Sequence, residues 1–299
     1  MAKAERSMDF PYQSHYLDVD GSKIHYIEEG QGDPILFLHG IPTSSYLWRN
    51  VIPHLATLGR CIAPDLIGMG KSGKPDIEYT IEDHIRYIEK FIEKMGLKRI
   101  TLVMHGWGSI IGLDYAMRHE NNCKGLVFYE AYLRPFSAED ISLPFQEQLT
   151  MLQDQDNNFD ATMNGRLFVD EVLSQCMLEP LKNAEMDYYR EPFAKNGTAK
   201  PLHQYLQELP RGDKKSKVDK LIAEYSKKLA KSKLPKLMLY SVPGFITTIA
   251  TAMWAKEHIP NLELIDVGEA LHYAQESNPT LMGEAISVWL QAVEQTMEN

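Results

Sequence analysis

Four compact apolar runs, at residues 35–38, 61–64, 100–104 and 125–129, are each followed by Gly, Pro or polar residues, and most are separated by stretches of helical period. Short apolar runs without alternation read as strands buried on both faces of a parallel sheet. Between two of them, Ile81, Ile85, Ile88, Phe91 and Ile92 fall on one helical stripe within residues 81–95, and such a stripe needs an apolar sheet to pack on. The alternation is therefore βαβα. Upstream, residues 15–28 alternate around Asp20-Gly21-Ser22, and an Asp-Gly turn between alternating runs signals a hairpin, placed here at the sheet edge. Residues 236–240 and 262–267 resume the sheet, and 281–293 close the chain as an amphipathic helix.

Near Arg134 this rhythm breaks, and for roughly 100 residues the text is helix-like and rich in Met, Gln and Lys, with no clear strand before Leu234. A helical cap inserted after the sixth strand accounts for it. The expected division is core at 1–133, cap at 134–233 and core again at 234–299; a chain of 299 residues accommodates one large domain with such an insertion. The lysine-dense stretch 214–233 carries Val218, Leu221, Ile222 and Tyr225 at helical spacing, so its charges read as a solvated helix face.

Composition limits the function classes. With 44% hydrophobic and 24% charged residues the chain has the make-up of an ordinary globular protein. Its net charge of -10 argues against nucleic-acid binding, which needs a basic face. Three cysteines, Cys61, Cys123 and Cys176, form no CxxC pair and are expected as buried thiols. No apolar leader opens the sequence and no run reaches the roughly 18 uncharged apolar residues of a membrane span, so a cytoplasmic protein without a membrane partner is expected. The ten histidines include no HExxH pair, and residues 68–72 lack the spacing of a phosphate loop, so neither metal nor cofactor is implied.

Three motifs carry chemistry. Phe37-Leu38-His39-Gly40-Ile41-Pro42 runs a buried strand into His-Gly, a loop that can turn the Ile41 N–H toward a developing oxyanion. Val103-Met104-His105-Gly106-Trp107-Gly108-Ser109 has the form of a strand-to-helix elbow, but its centre, where a nucleophile should project, is Gly106. Leu271-His272-Tyr273 stands past the last strand, where an elbow enzyme brings in its imidazole. The strand ending at Tyr240 runs into Ser241-Val242-Pro243 and offers no carboxylate, whereas Glu130 at the end of an earlier strand does. Ser109 and His105 do not occupy the projecting position and read as structural.

The strings Pro42-Thr43-Ser44-Ser45-Tyr46-Leu47-Trp48-Arg49-Asn50, Ala63-Pro64-Asp65-Leu66-Ile67-Gly68-Met69-Gly70-Lys71-Ser72, Tyr189-Arg190-Glu191-Pro192-Phe193 and Leu271-His272-Tyr273 make the chain resemble the haloalkane dehalogenases, over about residues 16–290. The resemblance implies an α/β-hydrolase fold: a mostly parallel eight-stranded sheet with helices on both faces and a helical cap after strand 6. It also implies a mechanism in which an elbow Asp attacks carbon and displaces halide. A His then activates water, a Glu or Asp orients that His, and Trp and Asn N–H groups hold the halide. Trp107, Glu130 and His272 match this set. Gly106 stands where the nucleophilic Asp belongs and Ile41 where many relatives have the halide-binding Asn.

Three readings follow. In the first, His272 and Glu130 act as a base facing an oxyanion hole made by Ile41 and Trp107, and carry out cyclisation, elimination or direct hydrolysis on a small apolar carbonyl-type substrate. In the second, the chain is a dehalogenase disabled at its nucleophile. In the third, it is a small-molecule binding protein without chemistry. Phe136, Phe145, Leu149, Phe168, Leu173, Cys176, Leu209, Phe245 and Tyr273 are the expected lining of the substrate pocket. Oligomeric state is not legible.

Overall fold

The computed structural model describes residues 6–136, 142–143, 147, 165, 167–195, 197–210 and 216–298. Asp20 and Gly21 both take positive φ, 51° and 76°, which is the two-residue turn whose twist suits a hairpin. It joins β1 (His15–Val19) to β2 (Ser22–Glu29) in antiparallel register, with Val19 opposite Ser22. β1 is the sheet edge. β3 (Pro34–Leu38), β4 (Arg60–Pro64), β5 (Ile100–Gly106) and β6 (Cys123–Ala131) correspond to the four apolar runs. With β7 (Lys236–Tyr240) and β8 (Leu262–Asp266) they complete an eight-stranded sheet in the order β1-β2-β4-β3-β5-β6-β7-β8. β2 pairs antiparallel with β4, and every pairing from β4 to β8 is parallel.

The order matters for chemistry because β3, β5 and β6 are neighbours, so the loops leaving their C-terminal ends meet at one place. All three strands are buried throughout. β5 and β6 run past the apolar runs, since Gly106 still pairs with Ala131 after a register shift at His105.

Helix α1 (Ile81–Lys94) starts at a capping box, Thr80 Oγ1 accepting from Asp83 N and Asp83 Oδ2 accepting in turn from Thr80 N. Its buried stripe is Ile81, His84, Tyr87, Ile88, Phe91 and Ile92. Ile85, expected on that stripe, is only half-buried, because the packed face is centred nearer His84 and Tyr87. Helix α2 (Trp107–Arg118) follows β5 directly and is buried from Trp107 to Met117.

Between β6 and β7 the described elements are helical: among them a π-helical turn at Leu167–Val172, then α3 (Asn183–Arg190), α4 (Lys200–Glu208) and α5 (Lys217–Leu229). α5 buries Val218, Ile222, Tyr225 and Leu229, with Lys227 and Lys228 in its last turn; Leu221 is half-buried. α6 (Ile249–His258) and α7 (Pro279–Glu298) complete the chain. Among the described residues no helix is long and apolar enough to cross a membrane. Cys61, Cys123 and Cys176 are buried free thiols.

Candidate active site

Gly106 ends β5 with φ 52° and ψ −125°, a conformation that an L side chain enters only under strain. A Cβ at this position would stand 3.3 Å from His272 Nε2 and 3.5 Å from Gly40 Cα. The elbow thus aims its missing side chain at the imidazole. Gly108, one residue into α2, permits the close approach of helix to strand, since a Cβ there would lie 2.4 Å from the Leu38 carbonyl oxygen. Ser109 Oγ donates to the Gly106 carbonyl at 2.6 Å and accepts from Tyr132 N at 3.0 Å. Its hydroxyl fastens the elbow's backbone to the chain leaving β6.

His272 Nδ1 lies 2.9 Å from Glu130 Oε2. With Glu130 ionised its carboxylate only accepts, so Nδ1 carries the proton and Nε2, facing Gly106, is the free base. Glu130 sits at φ 50°, beside the register shift of β6. Its carboxylate also accepts from Phe245 N (3.0 Å), Ile246 N (2.6 Å) and Thr247 N (3.1 Å). Burial pushes its pKa up to about 7, against these three N–H groups, which favour the charged form. Burial pushes His272 down to about 3, so the ring is neutral at pH 7.

The loop carrying His272 reaches back over β7 and is pinned by its backbone. His105 Nε2 meets the His272 carbonyl at 2.8 Å, Ser241 Oγ donates to the Ala270 carbonyl at 3.1 Å, and His272 N donates to the Cys176 carbonyl at 3.0 Å.

A pH dependence follows. A His whose folded value lies below its ordinary 6.5 contributes stability that is complete above that pH and is lost as pH falls toward 3. Glu130 acts in the opposite sense, its contribution being complete below about 4.5 and lost as pH rises through 7. The expected result is that lowering the pH from 6.5 to 4 depresses the melting temperature more in the unaltered chain than in His272→Gln. Calorimetric scans of both proteins across that range check it, and parallel curves would contradict it.

Ile41 is buried beside the elbow, and the Gly40 backbone lies against Trp107 N, which a Cβ on Gly40 would approach to 3.3 Å. The Trp107 indole packs edge-on against Tyr205 at 4.9 Å, and its buried Nε1 has no hydrogen-bond partner among the described residues. Of the expected lining residues, Tyr273 and Phe245 have rings 4.7 Å and 5.6 Å from the His272 ring. Cys176 reaches the site through its carbonyl. Phe136 is buried against Tyr132, whose N–H donates to Ser109 Oγ, while Leu173 and Leu209 are buried in the apolar core. Phe145, Leu149 and the side chain of Phe168 lie outside the described residues.

Tyr205 and the Phe245–Thr247 main chain are participants that sequence reading passes over. Tyr205 lies in a helix whose aromatic residues carry no motif, and backbone N–H groups leave no trace in residue identity.

Residues 33–279 match the family model of the alpha/beta hydrolase fold. A haloalkane dehalogenase of Sphingobium indicum is 37% identical over 284 residues, spanning 93% of this chain and 95% of that protein. One from Mesorhizobium japonicum is also 37% identical, spanning 93% and 91%. The crystal structure of the haloalkane dehalogenase DbeA from Bradyrhizobium elkani superposes with a TM-score of 0.90 at 33% identity, covering 95% of this chain and 99% of that one. DatA from Agrobacterium tumefaciens gives 0.86 at 32% identity, covering 94% and 97%. With its eight-stranded sheet, its elbow and its His-Glu pair in place, the chain belongs to the haloalkane dehalogenase family of α/β-hydrolases.

Proposed function

We propose that this chain uses His272, oriented by Glu130, as a general base toward a small apolar carbonyl compound, with the Ile41 and Trp107 N–H groups holding the oxyanion, in place of attack by an elbow carboxylate. The observation that carries this reading is Gly106: the position aimed at the free Nε2 from 3.3 Å bears no side chain, while the base and its orienting acid are both retained. A substrate atom can enter the space an elbow side chain would fill. Nε2 then takes a proton from the carbon next to the carbonyl. The electron pair left by that C–H bond moves onto the carbonyl oxygen, where N–H donors at the head of α2 stabilise it. The same base can instead take a proton from water that attacks the carbonyl directly. The helical segment between β6 and β7 acts in this reading as the cap, and the rings of Phe245, Tyr273, Trp107 and Tyr205 supply an apolar wall.

The test is exchange of α-protons for deuterium in small ketones and esters, followed by NMR in D2O. The unaltered chain is expected to accelerate exchange, and His272→Ala to reduce the acceleration by 10²- to 10⁴-fold, the usual weight of a general base. Equal exchange in the two proteins would sink the reading. Tight binding of these compounds with no exchange would favour a binding protein.

A further inference from the structure

The peptide joining Gly40 to Ile41 is gripped by its oxygen. The Gly40 carbonyl accepts from Thr43 Oγ1 at 2.7 Å, from His39 Nδ1 at 2.8 Å and from Thr43 N at 3.1 Å. The protonation of His39 is settled by its other nitrogen. Nε2 accepts from the Leu66 main-chain N–H at 2.9 Å, so the ring hydrogen must sit on Nδ1. Burial lowers the imidazole's pKa and keeps this neutral tautomer at pH 7. The ring therefore ties the peptide after β3 to the loop after β4, two strands that pair in parallel.

A trans peptide is planar, with its N–H directed opposite to its C=O. Holding the oxygen from three directions fixes the direction of the Ile41 N–H on the other side. Donors on the oxygen also draw electron density through the amide, which strengthens the N–H as a donor. We propose that His39 and Thr43 are positioning residues, which aim and strengthen the Ile41 N–H as the anion-binding partner of the Trp107 N–H. This rests on the reading of those two N–H groups as the oxyanion site and adds what holds one of them in place.

The experiment uses the full chain, labelled with ¹⁵N, and bromide as the probe anion, with the Ile41 and Trp107 amide resonances followed during titration. In Thr43→Val the free-state Ile41 amide proton is expected to move upfield and bromide affinity to fall roughly fivefold, the weight of one hydrogen bond. Thr43→Ser, which keeps the hydroxyl, should restore affinity to within about twofold of the unaltered chain. His39→Phe should shift the Ile41 resonance in the same direction as Thr43→Val. If it does not fold, the two Thr43 variants decide the matter. An Ile41 resonance and a bromide affinity unchanged in Thr43→Val would overturn the proposal. Should the unaltered chain show no bromide response at either amide, the oxyanion reading itself fails. The free-state Ile41 resonance in Thr43→Val still judges the clamp, upfield movement supporting it and none overturning it.

Discussion

Halide release from a panel of bromoalkanes is expected to stay at the background rate, on the order of 10⁶-fold below an enzyme of this family that keeps its nucleophile. Gly106 offers no atom to attack carbon, and the second N–H donor implied for the family's halide site is absent because Ile41 has an apolar side chain. The paired experiment is Gly106→Asp. An aspartate at φ 52° and ψ −125° costs about 1–3 kcal/mol of backbone strain, and its Cβ would sit 3.3 Å from His272 Nε2, tighter than an ordinary contact. A carboxylate so close to the imidazole should raise the His272 pKa from its depressed value. On the reading favoured above, this variant still releases no bromide above background, because Ile41 leaves the halide without its second donor. Ion chromatography of bromide and gas chromatography of the alcohol product read both proteins side by side. Turnover by Gly106→Asp alone would identify the chain as a dehalogenase disarmed at one residue, and the base-chemistry reading would give way to it.

Much of this site is legible from residue order. The strands are continuous apolar runs because both faces of β3, β5 and β6 are covered. Gly106 and Glu130 stand at strand ends and His272 in the loop past the last strand, where sequence position alone puts them near one another once the topology is assumed. What the sequence does not disclose is who completes each group. Glu130 is satisfied by main-chain N–H groups more than 110 residues away along the chain, and any residue type could supply them. His105 is visible in the elbow motif, yet its bond to the His272 carbonyl depends on how a loop from β8 folds back across β7. The stripe on α1 shifts from Ile85 to His84 for a related reason: a histidine and a tyrosine can be buried when the surrounding structure admits them, and periodicity of apolar residues does not count them. The expected lining is the least legible part, because apolar and aromatic residues at helical spacing are alike whether they face a ligand or the core.

Replacing Arg49 by Met is expected to lower the stability of the fold by about 3–5 kcal/mol, with a secondary loss of activity. Arg49 has a fully buried side chain and grips Glu276 with two bonds, Nη1 to Oε1 at 2.7 Å and Nη2 to Oε2 at 2.8 Å, while Nη2 also reaches Glu185 Oε1 at 3.1 Å. Tyr189 OH donates to Glu276 Oε1 as well, and Arg6 pairs with Glu185 at 2.7 Å. The cluster joins three pieces that chemistry needs held together: the loop after β3, helix α3 with Glu185 and Tyr189, and the turn four residues beyond His272. Without the guanidinium, two carboxylates remain buried with Arg6 as the one cation paired with them among the described residues, and an uncompensated buried charge costs far more than the pair it came from contributes. That asymmetry supplies the sharper test. Arg49→Met combined with Glu276→Leu removes the charge along with its partner, so the double variant should be less destabilised than the sum of its single changes, by more than the roughly 0.5 kcal/mol expected of independent sites. Urea unfolding of the unaltered chain, both single variants and the double variant completes the cycle. A loss below about 1 kcal/mol for Arg49→Met, in the range of exposed ion pairs, would mean that apolar packing and the backbone hydrogen bonds of the His272 loop, and not this cluster, hold the helices between β6 and β7 to the His272 turn.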